Sequence, residues 1–221
     1  MAPARPTPTP ATPPRFDAGR PCLDLLATTH PHERLTSLDH LRTWITTTGL
    51  VPTHTPLDHA TPDWLTAFQE LRTHIAQLIH TATGPHTEHP PPPTTPHPFD
   101  TSLAHINDIA RTAPPAPQAT RTTTSGTSGS NTNGSAPFAL TRTLAAPPTC
   151  PALLAVLARD TVELLTDPTA YASLRRCAGD NCPLVYVDTS RGRRRRWCSS
   201  EVCGNRERVA RHRRRTALPR A

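Results

Sequence analysis

The chain has 221 residues, of which 35 % are apolar and 4 % aromatic, and its 28 Pro residues argue against a single large core. The formal net charge of +7 is uneven, because residues 171–221 carry 14 Arg against four acidic residues, a net of +10, which leaves −3 for residues 1–170. A basic C-terminal module on a mildly acidic body predicts a polyanionic partner, most often nucleic acid.

The N-terminal segment, residues 1–15, is rich in Pro and Thr and lacks the apolar stretch of a signal peptide, so it predicts a disordered tail. The longest apolar run, residues 151–158, is far shorter than the roughly 20 residues that cross a bilayer. We therefore expect a soluble, cytoplasmic protein that does not bind membranes. In a reducing compartment, clustered cysteines are more often metal ligands than disulfides.

The fold is predicted to be mainly α with minor β: a helical N-terminal domain over residues 16–166, followed by a small zinc-stapled finger made of a hairpin and a helix. Residues 16–29 are apolar but short, and both strand and helix stay open there. A helix is predicted to begin after Ser37, which can cap it, and to end at Gly49.

The clearest helix is predicted over residues 61–83. Thr61 can cap it, Pro62 suits the first helical position, and Gly84 with the following Pro can stop it. Its apolar residues recur at helical spacing and are Trp64, Phe68, Leu71, Ile75 and Leu78.

Two segments of the N-terminal domain predict loops. Residues 85–98 are rich in Pro and His, and residues 114–135 are a low-complexity run of Pro, Thr, Ser, Gly and Asn. Between them, a short helix is expected after Asp100. Residues 138–144 predict a strand that pairs poorly with residues 119–124.

A second strong helix is predicted over residues 151–166, and Asp167 with the following Pro ends it. Its apolar side carries Leu153, Leu154, Leu157, Leu164 and Leu165. Because the apolar stripes of the two strong helices are wide, we expect the helices to pack together, with Trp64 and Leu157 buried. An effector pocket would lie between these two residues and residues 16–29; an ordinary core without a pocket is the alternative.

Four of the six cysteines form two equally spaced pairs near the C-terminus, with four residues inside each pair and 15 between the pairs. The pairs are Cys177 with Cys182 and Cys198 with Cys203. Two such pairs can converge tetrahedrally on one Zn²⁺ per chain at little cost in chain entropy. Two disulfides are the alternative. Cys22 and Cys150 stand alone in apolar surroundings and predict small buried side chains.

Residues 171–221 are predicted to form the finger. Residues 184–188 alternate like a strand, and residues 193–197 can return as its partner after a turn, which would bring the cysteine pairs together. Gly179 and Gly204 would ease the turns that carry the cysteines. Asp188 and Ser190 are expected to shape the turn between the strands. With so few apolar residues, the finger would need metal to fold.

A C-terminal helix is expected after Ser199, which can cap it, with Val202 and Val209 facing the finger's small core. Arginines on the returning strand and on this helix are expected to contact phosphates, and some of them base edges. They are Arg193, Arg194, Arg195, Arg196, Arg206, Arg208, Arg211, Arg213, Arg214 and Arg215.

Residues 203–206 read Cys-Gly-Asn-Arg, and this stretch resembles the signature of the CGNR zinc fingers. The Cys-x4-Cys pairs, Asp188-Thr189-Ser190 and Arg196-Trp197-Cys198 match that family as well. The resemblance covers about residues 174–215 and implies a zinc-binding finger in a stress-responsive transcription regulator.

Proteins of that kind usually carry an N-terminal ABATE domain. Residues 23–28 resemble the opening Leu-Asp-Phe-x-Asn-Thr pattern of that domain, with Leu25 in place of the Phe and Ala27 in place of the Asn. The resemblance covers residues 16–166 in outline, and the insert at 114–135 departs from it. If the family Asn binds a ligand, this chain would bind it differently or not at all.

No catalytic motif supports an enzyme, and we predict a zinc-dependent DNA-binding transcription regulator. Its N-terminal domain would sense a small-molecule effector or dock a protein partner. The alternative is a zinc-stapled interaction module whose arginines dock an acidic protein, or RNA. His86, His89 and His97 could bind metal weakly, or could be solvated loop residues; Asp24 could bind a ligand, or could act as a cap or ion-pair partner.

Overall fold

The computed structural model describes residues 18–84, 98–122 and 139–217. The helices are α1 (Pro21–Ala27), α2 (Leu38–Thr47), α3 (Pro62–Thr83), α4 (Pro98–Ala110), α5 (Cys150–Thr166), α6 (Pro168–Tyr171) and α7 (Asn205–Ala217). The strands are β1 (Pro117–Thr122), β2 (Ala139–Leu144), β3 (Leu174–Arg176) and β4 (Val185–Val187). The mainly α prediction with minor β is confirmed. The predictions for residues 1–15 and 85–97 lie outside the described residues.

Helix α3 is the centre of the N-terminal domain, and α1, α2, α4 and α5 all pack against it. It begins at Pro62, as predicted, with Thr61 at the N-cap position. The predicted apolar stripe is buried from Trp64 to Leu78. Helix α2 is capped by Ser37, whose hydroxyl accepts a hydrogen bond from the backbone N–H of His40. A residue with positive φ, Gly49 (φ 74°), follows its last turn, as predicted.

Helix α5 packs against α3, and the prediction that Trp64 and Leu157 are buried is confirmed. It is tied to α1 by Asp160, which accepts a hydrogen bond from the backbone N–H of Cys22 and forms a 2.9 Å ion pair with Arg20. Burial raises the pKa of the Cys22 thiol well above its ordinary value. Cys22 is therefore the small buried residue that the sequence predicts.

Residues 16–29, for which the sequence is compatible with either a strand or a helix, contain helix α1. Its Asp24 carboxylate accepts a hydrogen bond from the backbone N–H of Ala18, so this side chain contributes to the fold. Ala27, at the position of the family Asn, is 2 % exposed. The next residue, Thr28, is also buried, and its hydroxyl donates to the carbonyl of Leu25.

A buried arginine, which the sequence analysis did not find, links α3 to the segment after α1. Arg72 donates to Thr28 Oγ1 at 2.7 Å and forms two hydrogen bonds with Glu33, at 2.6 and 2.9 Å. The hydrogen bond from Arg72 is the main reason why the pKa of Glu33 lies below its ordinary value. A charged residue that is 9 % exposed needs such pairing, because an unpaired buried charge is costly.

Helix α4 covers another face of α3 and begins at Pro98, two residues before the predicted Asp100. Ile106 is fully buried, and Ser102 is 5 % exposed. The Ser102 hydroxyl lies 3.1 Å from Nδ1 of His74, on α3. The ring centroids of His74 and His105 are 4.1 Å apart. Desolvation is the main cause that lowers the pKa of His74, and the neighbouring His105 lowers it further.

Strands β1 and β2 form a two-stranded antiparallel ribbon, in which Pro117 pairs with Leu144 and Thr122 with Ala139. The predicted pairing is confirmed. Strand β1 lies inside the low-complexity run at 114–135 and begins at Pro117, two residues before the predicted partner segment. Thr residues favour extended backbone once a partner strand supplies the hydrogen bonds. Residues 123–138 lie outside the described part.

Strands β3 and β4 lie against the N-terminal domain and share its apolar core, which includes Leu174 and Val185. Backbone and side-chain hydrogen bonds reinforce this contact. The N–H of Val187 donates to the carbonyl of Ala18 at 2.9 Å, and the Tyr171 hydroxyl donates to Ala82 at 3.0 Å. The finger is therefore packed onto the body of the protein. None of the described helices combines the length and apolar character that membrane crossing needs.

We predict that Leu157→Ala lowers the free energy of unfolding by about 2–5 kcal/mol, since it leaves a cavity between α3 and α5. Leu140→Ala is the matched control, because the Leu140 side chain is 67 % exposed on β2. Its cost should stay within about 0.5 kcal/mol. Urea unfolding followed by circular dichroism measures both. Equal costs for the two variants would contradict the packing described above.

Candidate metal centre and basic surface

The four paired cysteines converge at one point of the finger, as the spacing predicts. The sulfur atoms of Cys177, Cys182, Cys198 and Cys203 all lie within 4.8 Å of one another. Cys182 Sγ and Cys198 Sγ are 3.7 Å apart, and Cys198 Sγ and Cys203 Sγ are 3.6 Å apart.

These distances fit a tetrahedral zinc site. A Zn–S bond of about 2.3 Å places the sulfur atoms of a regular tetrahedron about 3.8 Å apart, whereas a disulfide would bring them to about 2.05 Å. All six cysteines are free thiols in the structure. The chemistry of the donor set and its spacing therefore fit a single Zn²⁺, and the two-disulfide alternative is wrong.

The backbone supports the sulfur cluster directly. The N–H groups of Gly179 and Cys198 donate to Cys177 Sγ at 3.4 and 3.3 Å. Such hydrogen bonds orient metal-binding thiolates. A Cβ atom at Gly179 would lie 3.3 Å from Cys203 Cβ and 3.4 Å from its Sγ, so a side chain here would crowd the cysteine cluster. The left-handed residue of this turn is Asn181, with φ 58°.

The protonation states of the clustered thiols depend on one another. Hydrogen bonds from Cys182 and then Cys198 lower the pKa of the Cys177 thiol. The Cys177 sulfur in turn is the main cause that raises the pKa of Cys198. A divalent ion among the four sulfur atoms would favour the thiolate form of all of them, because metal binding releases the thiol protons.

Cys150 lies outside the cluster and is half-buried rather than fully buried. Its burial raises the pKa of the thiol to about 11.

The hairpin differs from the prediction. Strand β4 pairs with β3, which precedes the first cysteine pair, and the register joins Leu174 with Val187. The predicted returning strand at residues 193–197 does not form, because side chains replace the ladder there. Asp188 accepts a hydrogen bond from the Arg195 N–H at 3.0 Å, and the Tyr186 hydroxyl donates to the Arg195 carbonyl. Arg193 adopts a positive φ of 47°, which breaks an extended strand.

Asp188 organises the turn, as predicted. Its carboxylate also accepts from both the N–H and the hydroxyl of Ser190, at 3.0 and 2.6 Å. These hydrogen bonds, first those from Ser190, hold the pKa of Asp188 below its ordinary value. The guanidinium of Arg195 lies over the ring of Tyr186, 4.6 Å from the centroid, and donates to the carbonyls of Trp197 and Cys198. Arg195 therefore supports the fold of the finger.

A π-helical turn, Ser200–Gly204, carries the last cysteine and continues directly into α7. Ser199 caps it, as predicted, by accepting a hydrogen bond from the Val202 N–H. The expectation that Val202 and Val209 share a buried face is wrong, since Val209 is 50 % exposed. The wider π turn changes the angular phase of the helix, so a spacing of seven residues no longer returns to one face.

Most of the predicted DNA-contacting arginines are exposed, in two groups. On the loop after β4, Arg193, Arg194 and Arg196 are exposed, together with Arg191, which the sequence analysis left out. On α7 the exposed residues are Arg206, Arg208, Arg211, Arg213 and Arg214. Arg215 lies within α7, and its side chain is outside the described part.

A buried histidine of the N-terminal domain, His30, is influenced by charges of the finger; it is 7 % exposed. Desolvation is the main cause that lowers the pKa of His30, and the positive charge of Arg206 lowers it further, whereas Cys177 raises it. Among the described residues, His30 Nε2 has no hydrogen-bond partner. Neither sequence periodicity nor motif spacing indicates this influence, because it acts between residues far apart in the chain.

A cleft of about 230 Å³ lies between α1, α3 and the finger. Arg72, Thr73 and His80 are the polar residues of its α3 wall, and residues 183–185 form its finger wall. The cleft is bounded by Leu26 and Thr29, from the segment where an effector pocket is expected. Trp64 and Leu157 do not line it.

Two family models match the chain in the order that the sequence motifs predict. Residues 19–168 match ABATE, described as "Putative stress-induced transcription regulator". The chain belongs to this family. Residues 173–216 match the CGNR zinc finger. A comparison with curated proteins gave no match.

The family assignment and the geometry agree on the metal. An ABATE protein with a CGNR finger is expected to hold zinc, and the four sulfur atoms form one site of the required size. Both families are of regulator and zinc-finger type. Ala27 is buried in the core of this ABATE domain.

We predict that Cys198→Ser reduces the zinc content from about one ion per chain to none, because three thiolates remain where a closed structural site needs four ligands. Cys150→Ser is the matched control, since Cys150 lies outside the cluster and should keep the zinc. Metal analysis of the purified proteins measures both. Titration of all six thiols in folded, metal-free wild-type protein would contradict the zinc site.

Proposed function

We propose that this ABATE protein is a zinc-dependent DNA-binding transcription regulator, in which the finger binds DNA and the N-terminal domain senses an effector or docks a partner. The observation that carries the proposal is the exposed arginine surface on the loop after β4 and on α7. The loop and helix that carry this surface belong to the finger, which a single zinc ion would hold in place. Duplex DNA offers a matching line of negative charge.

Cys177, Cys182, Cys198 and Cys203 would be the zinc ligands. Zinc would supply the charge that four thiolates need, and the ion would hold the first and last parts of the finger together. Three residues separate β4 from the first loop arginine, Arg191, and one residue separates the last cysteine from α7. Loss of zinc would therefore leave the two arginine groups without a fixed position relative to each other.

The exposed arginines would contact phosphates first, because a guanidinium forms two parallel hydrogen bonds with a phosphate. Arg195 is set apart from them, since its guanidinium already donates to carbonyls of the finger. Val209 is exposed between arginines on α7, where an apolar side chain can contact a thymine methyl group. Base readout would then come from α7, and the loop would position the duplex.

The cleft beside α3 is the place where sensing or docking would reach the finger. Its walls belong to both parts of the chain, so a bound molecule would touch α3 and residues 183–185 at once. Binding that favours one arrangement of these walls would shift the finger relative to α3. The coupling would act through the shared core between Leu174, Val185 and the N-terminal domain.

We predict that binding to duplex DNA weakens steeply with salt. About five phosphate contacts would give a slope of log affinity against log salt of about −4 to −5. Replacing Arg211 and Arg213 together by Gln should flatten this slope by about two, because each lost contact removes roughly 0.9. Fluorescence anisotropy with a labelled duplex, between low and moderate salt, measures the slope.

The matched control replaces Arg111 and Arg142, two exposed arginines of the N-terminal domain. It removes the same charge and should leave the slope unchanged.

Arg195→Gln should lower zinc retention, because it removes the hydrogen bonds to the carbonyls of Trp197 and Cys198. Affinity that ignores salt, or that survives loss of both exposed groups, would contradict DNA binding. Tighter binding to an acidic protein or to single-stranded RNA would favour the corresponding alternative partner.

A further inference from the structure

A second group of metal-ligand side chains lies on the N-terminal domain, away from the cysteines. One carboxylate oxygen of Glu70 and one ring nitrogen each of His74 and His105 lie within 4.8 Å of one another. Glu70 and His74 are four residues apart on α3, a spacing that places them on one face of the helix. His105 comes from α4, which packs against that face.

The local packing already arranges the two imidazoles. Their ring centroids are 4.1 Å apart with an angle of 33° between the ring planes, and both rings are half-buried between the helices. Nδ1 of His74 is hydrogen-bonded to the hydroxyl of Ser102, which is 5 % exposed. This leaves Nε2 as the metal-binding nitrogen of His74. A hydrogen bond on the other ring nitrogen is the usual way in which a protein orients a histidine ligand.

The distances require only a small adjustment for coordination. Nitrogen and oxygen ligands about 2.1 Å from a tetrahedral ion lie roughly 3.4 Å apart. The present separations, up to 4.8 Å, would close by about 1 Å or a little more. Glu70 is exposed and can make this movement by a rotamer change, so the helices need not shift.

We propose that Glu70, His74 and His105 form a second metal site, specific for a divalent transition metal such as Zn²⁺, Co²⁺ or Ni²⁺. The ligand set is two imidazoles and one carboxylate, which suits these borderline ions better than Ca²⁺ or Mg²⁺. Three protein ligands leave at least one position open to water or another small ligand. The site binds its ion reversibly and fastens α4 to α3.

This site is chemically distinct from the cysteine cluster, and that difference makes it testable in the zinc-loaded protein. Co²⁺ is the probe. Bound to two nitrogens and one oxygen, it gives weak visible bands and no thiolate-to-cobalt charge transfer. Co²⁺ that displaces zinc from the finger would show that charge transfer, so the spectrum separates the two locations.

We predict that equilibrium dialysis of the full chain finds one Co²⁺ per chain in addition to the retained zinc, without thiolate charge transfer. His74→Gln and His105→Gln should each weaken this binding at least tenfold. Glu70→Gln should weaken it too, and it tests the site without risk to folding, because Glu70 is exposed. Ser102→Ala should weaken it about tenfold through loss of the hydrogen bond that orients His74.

Two controls locate the binding. His40→Gln removes an exposed histidine from α2 and should leave Co²⁺ binding unchanged. Joint replacement of His86, His89 and His97 by Gln should also leave it unchanged. Co²⁺ should raise the unfolding temperature of the wild type and of both controls, but not of His74→Gln, because it binds the folded state alone.

The proposal is overturned if the wild-type protein binds no Co²⁺ beyond any that replaces zinc. It is equally overturned if the His74, His105 and Glu70 variants all keep the second ion, whether or not the triple loop variant loses it. Neither result bears on DNA binding, since the proposed ligands lie on α3 and α4 and the arginine surface lies on the finger. Failure of this proposal and failure of the proposed function are thus distinguishable.

Discussion

The repulsion expected among four cysteine thiolates in one small volume is the constraint on which the finger depends. With sulfur atoms 3.6 and 3.7 Å apart, a cation between them would offset that repulsion. The finger has two three-residue strands and few apolar side chains, so apolar packing inside the finger could not replace the zinc–sulfur bonds. A bound zinc ion would join the turn at Gly179, the Asp188 turn and the start of α7 into one unit.

The finger also covers one side of a larger apolar core. Leu174, Val185 and Val187 complete the apolar interior between α1 and α3, and the Val187 N–H pairs with Ala18. A zinc ion that holds the finger would therefore also stabilise the part of the N-terminal domain that packs against it. The same packing brings His30 under the influence of finger charges and forms the cleft against residues 183–185. A structural change in either domain would therefore alter the packing of the other.

The parts of the fold that could be predicted from the sequence are those in which local pattern decides. Short stretches of sequence were enough to predict the helix caps at Ser37 and Ser199, the buried apolar stripe of α3 and the convergence of the cysteine pairs. The pairing of β4 with β3 and the Arg72–Glu33 pair could not be predicted, since each depends on contacts between separate segments of the chain. The internal role of Arg195 could not be predicted either, since it depends on how the loop after β4 folds back on Trp197 and Cys198. Strand alternation suggested a partner at residues 193–197, but hydrogen bonds with the Asp188 and Tyr186 side chains take the place of a ladder.

We expect zinc to hold the finger and, through the shared core, to stabilise part of the N-terminal domain. Hydrogen exchange measured by mass spectrometry, before and after removal of zinc by a chelator, can detect this dependence. Protection should be lost throughout residues 174–204, with a smaller loss in α1 and in the end of α3 that contacts β3. Restored zinc should restore both. Unchanged protection of the finger after zinc removal would show that zinc does not hold it.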